Sequence, residues 1–252
     1  MNILLRLSFN GSRYHGFQVQ ANALSICTVL QNAMEKLFGA RPDVKGCSRT
    51  DAGVHALEYC VSFHCEAPIS NFKLPLALNH YLPPDIRVTA AQRVAEDFHA
   101  RYSALGKEYH YVFLNAAVDN PFTPGLYHRV PGALDAEAML AAGQALGGYH
   151  NFDSFMSAGS DIQDTARTVT ALSVRREGER VVLRVAADGF LYNMVRIMAG
   201  TLLKVGTGRC GAAYVGQALQ ARHRGQAGET MPAKGLFLAR VYYPPEPLPT
   251  SL

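Results

Sequence analysis

Arg49-Thr50-Asp51-Ala52-Gly53-Val54-His55-Ala56 runs straight into Leu57-Glu58-Tyr59-Cys60-Val61-Ser62-Phe63-His64-Cys65. The second stretch alternates Leu57, Tyr59, Val61, Phe63 and Cys65 with Glu58, Cys60, Ser62 and His64, the period-2 pattern of a strand with one buried face. The first stretch is then a glycine-containing turn at the strand's edge, where functional loops collect. It sets one carboxylate, Asp51, beside one guanidinium, Arg49. Two readings of Asp51 follow from the spacing: an Asx turn bonding its own backbone, or a single reactive acid.

Working outward from this strand gives a repeated order of elements. Ile3, Leu5, Leu7 and Phe9 alternate up to Asn10-Gly11-Ser12, predicting a strand and a turn. Val29, Leu30, Ala33, Met34, Leu37 and Phe38 recur at helical spacing, with Ser25 to cap the helix and Gly39 to stop it. A short strand near Val44, the Asp51 strand, a helix over Leu74–Leu82 ended by Pro83-Pro84, and a strand over Ile86–Val94 complete a β-α-β-β-α-β order. The second half repeats it: a strand over Lys107–Leu114, a helix from Asp135 to Leu146, and a hairpin of Val169–Arg176 with Val181–Ala187. A helix over Leu191–Val205, an extra helix over Ala212–Ala221 and a final strand over Leu236–Tyr243 follow.

The expected class is therefore α+β: two ferredoxin-like, RRM-like halves with antiparallel sheets flanking a central active-site cleft. The boundary is expected near residues 95–106, giving an N-terminal half of residues 1–100 and a C-terminal half of 101–252. Pro-rich residues 244–249 form a tail.

Composition narrows the function classes. With 252 residues, 48% hydrophobic and 17% charged, the chain is globular in make-up, and no apolar run is long enough to span a membrane. No basic segment leads into a long apolar stretch at the N-terminus, so a cytoplasmic protein is expected. Five scattered cysteines without a Cys-x-x-Cys pair read as free thiols. Cys60, His64 and Cys65 lie along one strand with His64 facing away from Cys65, poor geometry for a shared ion. Net charge is +4, with 9 basic against 8 acidic residues in 1–100 and 15 against 12 in 101–252. That balance permits nucleic-acid binding without demanding it.

Two further residues invite chemistry. Arg196 shares a helix side with Tyr192, Ala199 and Leu203, so its charge either snorkels to water or meets a carboxylate, and Asp51 is the natural partner. Such pairing would keep Asp51 ionised. Tyr109 alternates with Tyr111 and Phe113 on one strand face: core, or a ring that stacks on a base. Gly206-Thr207-Gly208 reads as a helix-ending turn, Arg222-His223-Arg224 as a helix end able to touch phosphate, and His15, His55 and His99 as turn histidines.

Five segments in order resemble the tRNA pseudouridine synthases of the A type. They are Tyr14-His15-Gly16-Phe17-Gln18-Val19-Gln20, the Arg49–Ala56 turn, Phe98-His99-Ala100-Arg101 with Lys107-Glu108-Tyr109-His110-Tyr111, Asp188–Arg196, and Pro232-Ala233-Lys234-Gly235-Leu236. The resemblance implies that Asp51 is the catalytic aspartate, that Arg49 helps evict and hold the target nucleotide, that Tyr109 stacks on the uracil, and that Arg196 partners Asp51. It also implies a cofactor-free, metal-free homodimer that isomerises uridine at positions 38, 39 and 40 in the tRNA anticodon stem-loop. Phe17 stands where the family often has Trp, Cys47-Ser48 where smaller residues are common, and Asn193 where His is frequent. Two other readings compete. A glycosyl hydrolase would want a second carboxylate, which Glu58 is badly placed to be. A non-catalytic RNA-binding pair of RRM-like units would want an RNP1 pattern, which this chain lacks.

Overall fold

The structure, a computed structural model, describes residues 1–66, 70–159 and 162–252. Two compact units divide the chain: Met1–Leu105 with Phe237–Glu246, and Gly106–Leu236 with Pro247–Leu252. Both are built from mixed sheet and helix, so the class is α+β.

In the first unit β1 (Asn2–Phe9) lies between β3 (His55–His64) and β4 (Ile86–Val94), antiparallel to both. The two-residue β2 (Lys45–Gly46) adds to the far side of β3. Between the strands, α1 (Ile26–Phe38) begins where Ser25 Oγ accepts from the Thr28 amide at 3.1 Å, a cap contributing about 1 kcal/mol. It ends where Gly39 turns left-handed at φ 73°. Leu30 and Met34 of its inner face are fully buried, each such burial adding roughly 2 kcal/mol. The second helix, α2 (Lys73–Tyr81), stops before Pro83-Pro84 as expected.

Three expectations need correction here. The sheets are mixed rather than antiparallel, because the last strand, β10 (Leu236–Tyr242), runs parallel to β3 with Phe237 opposite His55. That strand, expected to close the second half, belongs from Phe237 onward to the first unit. And the alternation along β3 changes phase. Leu7 faces Tyr59 whereas Phe9 faces Ala56, so β3 carries one extra residue. A bulge of this kind moves side chains to the opposite face. Ala56 therefore joins Tyr59 in the core at 2% exposure, and Leu57 is turned out at 54%.

The other face of β3 is also covered. Cys60 and Ser62 are buried. Ser62 Oγ accepts from the Ala100 amide at 3.0 Å, and the Tyr243 hydroxyl donates to the Ala100 carbonyl at 2.6 Å. Burial pushes the Cys60 thiol and the Tyr243 phenol well up from their ordinary values.

In the second unit β9 (Arg180–Ala187) is central, antiparallel to β5 (Gly106–Leu114) and to β8 (Ala166–Glu177). The β8–β9 hairpin turns on Gly178-Glu179 with φ 63° at the glycine, the conformation a first hairpin position asks of glycine. Short strands β6 (His128–Arg129), parallel to β5, and β7 (Gly148–Asn151), antiparallel to β8, extend the sheet. Helix α3 (Ala136–Gly143) starts at Asp135, whose carboxylate accepts from the Ala138 amide. Helix α4 (Met194–Gly206) is buried on nearly every side, and α5 (Tyr214–Ala221) follows it. Expected from Leu191, α4 instead begins after Asn193, which is left-handed at φ 62° and sets the entry.

Candidate active site

The Asp51 turn is made by glycines and closed by main chain. The Asp51 carbonyl accepts from the Val54 amide at 3.2 Å, and Gly53 takes φ 79°, the positive value a type II turn needs at its third residue. A second layer then clamps it. The Tyr14 carbonyl accepts from the Gly53 amide at 3.1 Å, and the Phe17 amide donates to Thr50 Oγ1 at 3.1 Å. A Cβ at Gly16, itself at φ 76°, would overlap the Thr50 carbonyl oxygen, and one at Gly11 would overlap that of Val54. Only glycine lets these backbones approach so closely. Residues 14–17 also accept the first free amides of α1, Ile26 to Gly16 and Cys27 to Phe17, so the clamp is anchored to a helix start.

The approach to Arg49 is fixed by Tyr59. Its ring is fully buried and stacks on Phe17 at 4.3 Å and 22°. The Tyr59 hydroxyl donates to the Ser48 carbonyl and accepts from the Ser48 amide. Gly46 leaves room for both rings. At the turn's tip Arg49 is exposed and Asp51 half-buried. Tyr14 is seated by Asp85 Oδ1 at 2.7 Å; burial, then this hydrogen bond and the carboxylate's charge, push its phenol up to about 12. His55 accepts from the Gly11 amide and stacks on Phe237 at 4.7 Å, the scaffold role expected of a turn histidine.

Tyr109 and Arg196 lie in the second unit. Tyr109 sits on β5 at 7% exposure with Phe190 edge-on at 4.9 Å and 78°. Next along that face, the Tyr111 hydroxyl donates to the Pro232 carbonyl at 2.8 Å, and burial raises its phenol against the opposing Arg196 charge. Arg196, in the first turn of α4, is half-buried and does not simply snorkel. Its Nε donates to the Met231 carbonyl and its Nη1 to Asn193 Oδ1, both at 2.6 Å. Asn193 Nδ2 in turn donates to Ser157 Oγ at 3.0 Å. Met231 reaches Arg196 because the Glu229 carbonyl packs where a Cβ on Gly200 would stand, and Gly228 donates to Thr201 Oγ1.

The sequence names Asp51, Arg49, Tyr109 and Arg196 as candidates, but gives no bracing role to Tyr59 and Asn193 and does not point to Ser157 or Met231. Asn193 carried a signal: an Asn just ahead of a helix is a candidate for left-handed backbone. The Met231 carbonyl carried none. Gly206-Thr207-Gly208 does end a helix, with φ 72° at Gly208. Arg224 is turned onto the Gly228 carbonyl and Thr230 Oγ1. Among the described residues, no three of His, Cys, Asp and Glu converge on a metal position, and no helix is long and apolar enough to cross a membrane.

One unit thus carries a carboxylate on a braced turn, and the other a seated arginine. The sequence profile described as tRNA pseudouridine synthase matches residues 7–103 and 142–244. A relative from Acetivibrio thermocellus, named tRNA pseudouridine synthase A, is 41% identical over 242 residues, covering 96% of this chain and 99% of its own. One of the same name from Bacillus licheniformis is 39% identical over 245 residues with the same coverage. A solved Cbf5–Nop10–Gar1 complex is a distant likeness, with TM-score 0.36 and 12% identity over 93% of this chain and 57% of that one. The chain belongs to the tRNA pseudouridine synthase family. It is an isomerase that acts on uridine in tRNA.

Proposed function

We propose that the substrate is the anticodon stem-loop, with uridines 38, 39 and 40 as targets, and that Asp51 is the catalytic group. The observation that carries this reading is the Asp51 turn itself. Three glycine backbones and two cross-loop hydrogen bonds fix the turn that carries this carboxylate, the kind of preorganisation a reacting group needs.

The reaction breaks the N1–C1′ bond, turns the uracil, joins C5 to C1′, moves the C5 proton off and returns one to N1. Its atoms balance without a co-reactant, so one oriented carboxylate and a closed pocket suffice, and no cofactor is required. Water must be kept from the sugar while the base is detached. The target base must leave its stack, at a cost of a few kcal/mol met by contacts in the pocket. In this reading Arg49, exposed beside Asp51, evicts and holds the nucleotide. Tyr109, fixed in orientation by Phe190, supplies a ring for the uracil. Arg196 keeps Asp51 ionised as its partner, and Asn193 and Met231 orient that guanidinium.

The two halves, each taken as a ferredoxin-like unit, divide the work: residues 1–100 carry the acid, and residues 101–252, whose last strand joins the first unit, carry the ring and the counter-charge. The protein acts as a homodimer. The test is to incubate unmodified tRNA with the protein and map pseudouridine by chemical labelling and primer extension. Product at 38, 39 and 40 with wild type, and none with Asp51→Asn, is expected. Product confined to another arm would reject the stem-loop assignment, and full product from Asp51→Asn would reject the aspartate.

A further inference from the structure

The loop from Phe98 to Ser103 plays no part in the chemistry above, yet it is as tightly built as the Asp51 turn. Asn2 Nδ2 donates to the Ala95 carbonyl at 3.0 Å and the Phe98 carbonyl at 2.8 Å. The His99 amide donates to Ser103 Oγ at 3.1 Å, and the Ser103 amide returns to the His99 carbonyl at 2.9 Å. Ala100, fully buried, is pinned at both ends of its peptide by Ser62 and Tyr243. The Arg101 amide donates to His99 Nδ1 at 3.0 Å. Downstream, the Leu105 amide is bonded to the Tyr242 carbonyl. A surface loop with this many ties presents whatever it carries in one fixed attitude.

What it carries is an aromatic ring in water. Tyr102 is 75% exposed. The His99 ring backs it at 4.4 Å, and the Arg101 guanidinium lies 5.7 Å from its centroid. Single exposed apolar side chains are ordinary and need no explanation. Phe72 and Phe122, at 91% and 92%, are of that kind, with no ring or cation set against them among the described residues. Tyr102 differs in being oriented, backed by a second ring, and paired with a positive charge. The nearby Glu96 faces His64 at 3.2 Å and the terminal amine at 3.7 Å.

We infer that this loop is a second RNA contact, on which Tyr102 stacks an unpaired base of the tRNA substrate while Arg101 meets an adjoining phosphate. A π face beside a guanidinium is the combination that holds single-stranded nucleic acid, and it reads any base. An unpaired base is required because a paired one offers no free face. The inference rests on tRNA as substrate and is independent of the role given to Asp51.

The chain contains no tryptophan, so Tyr102→Trp introduces a single fluorophore at the site. Titration with unmodified tRNA should quench its emission, with the midpoint that filter retention gives for binding, and equally in the Asp51→Asn background. Tyr102→Ala should raise KM about tenfold with kcat unchanged, whereas Tyr102→Phe should keep the wild-type KM. Emission indifferent to tRNA that binds, or a Tyr102→Ala KM equal to wild type, overturns the contact. So does an altered oligomeric state of Tyr102→Ala with unchanged KM, which assigns the ring to a second protein chain. Loss of product in Asp51→Asn, or its absence, leaves the fluorescence result untouched, so the two readings fail separately.

Discussion

The Asp51 turn and the Arg196 seat are held by opposite means. Around Asp51 the holding atoms are backbone: carbonyls and amides of residues 14–17 close on the turn through space that Gly11 and Gly16 leave open. Around Arg196 they are acceptors brought to a side chain, Asn193 Oδ1 and the Met231 carbonyl. A backbone seat tolerates no added carbon, because neither partner can move without its strand or helix. A side-chain seat is graded, since the Asn193 acceptor can be removed or replaced while the Met231 carbonyl stays.

The largest effect is therefore expected at Gly16→Ala. Its φ of 76° and the overlap with the Thr50 carbonyl should cost about 3 kcal/mol of stability and at least 100-fold in kcat/KM. Thermal melting and steady-state kinetics check it, and a wild-type melting temperature would break the contrast.

Asn193→Gly comes next. It keeps the left-handed backbone at φ 62° and deletes the acceptor of Arg196. We expect kcat to fall about tenfold with KM little changed. Asn193→Asp, which restores an acceptor, should recover part of the loss. Equal kinetics for the Gly variant and wild type would show that Met231 alone seats the guanidinium.

Tyr59→Phe sharpens the comparison from the other side, removing the hydroxyl bonded to Ser48 while keeping the stack on Phe17. About 1 kcal/mol of stability and a few-fold in kcat should be lost. If the backbone clamp alone holds the turn, kcat will not move.

The smallest effect is at high pH. The Tyr14 phenol, ordinarily near 10.0, is pushed up to about 12 by burial and Asp85. The folded protein keeps this proton where the unfolded chain has lost it, so its contribution is complete below pH 10 and is lost as pH rises through 12. Chemical denaturation of Tyr14→Phe should show a shallower alkaline fall than wild type, and an unchanged slope would remove Tyr14 from the account.

What could be read from the chain was local. Ser25 and Gly39 bound α1, Ile86 and Val94 bound β4, and the strands over Val169–Arg176 and Val181–Ala187 form a hairpin, all from short-range rules of capping and periodicity. Asp51, Arg49, Tyr109 and Arg196 stand out as candidates through their neighbours and through the resemblance of five ordered segments to a known family. What escaped was long-range. The phase change that turns Leu57 outward arises from the register between β1 and β3. The second covered face of β3 arises from Ala100 and Tyr243, some 40 and 180 residues away. The Met231 carbonyl is a backbone atom, and no residue type announces it. The second unit's last strand fell in the first unit because its partner, β3, lies about 180 residues upstream.

The most direct test of the central claim is tritium release from tRNA labelled as [5-³H]uridine, run on wild type and Asp51→Asn at matched tRNA occupancy. The account predicts release by wild type and none by Asp51→Asn, which still binds tRNA. Release by both at similar rates would contradict it and move the chemistry to another residue.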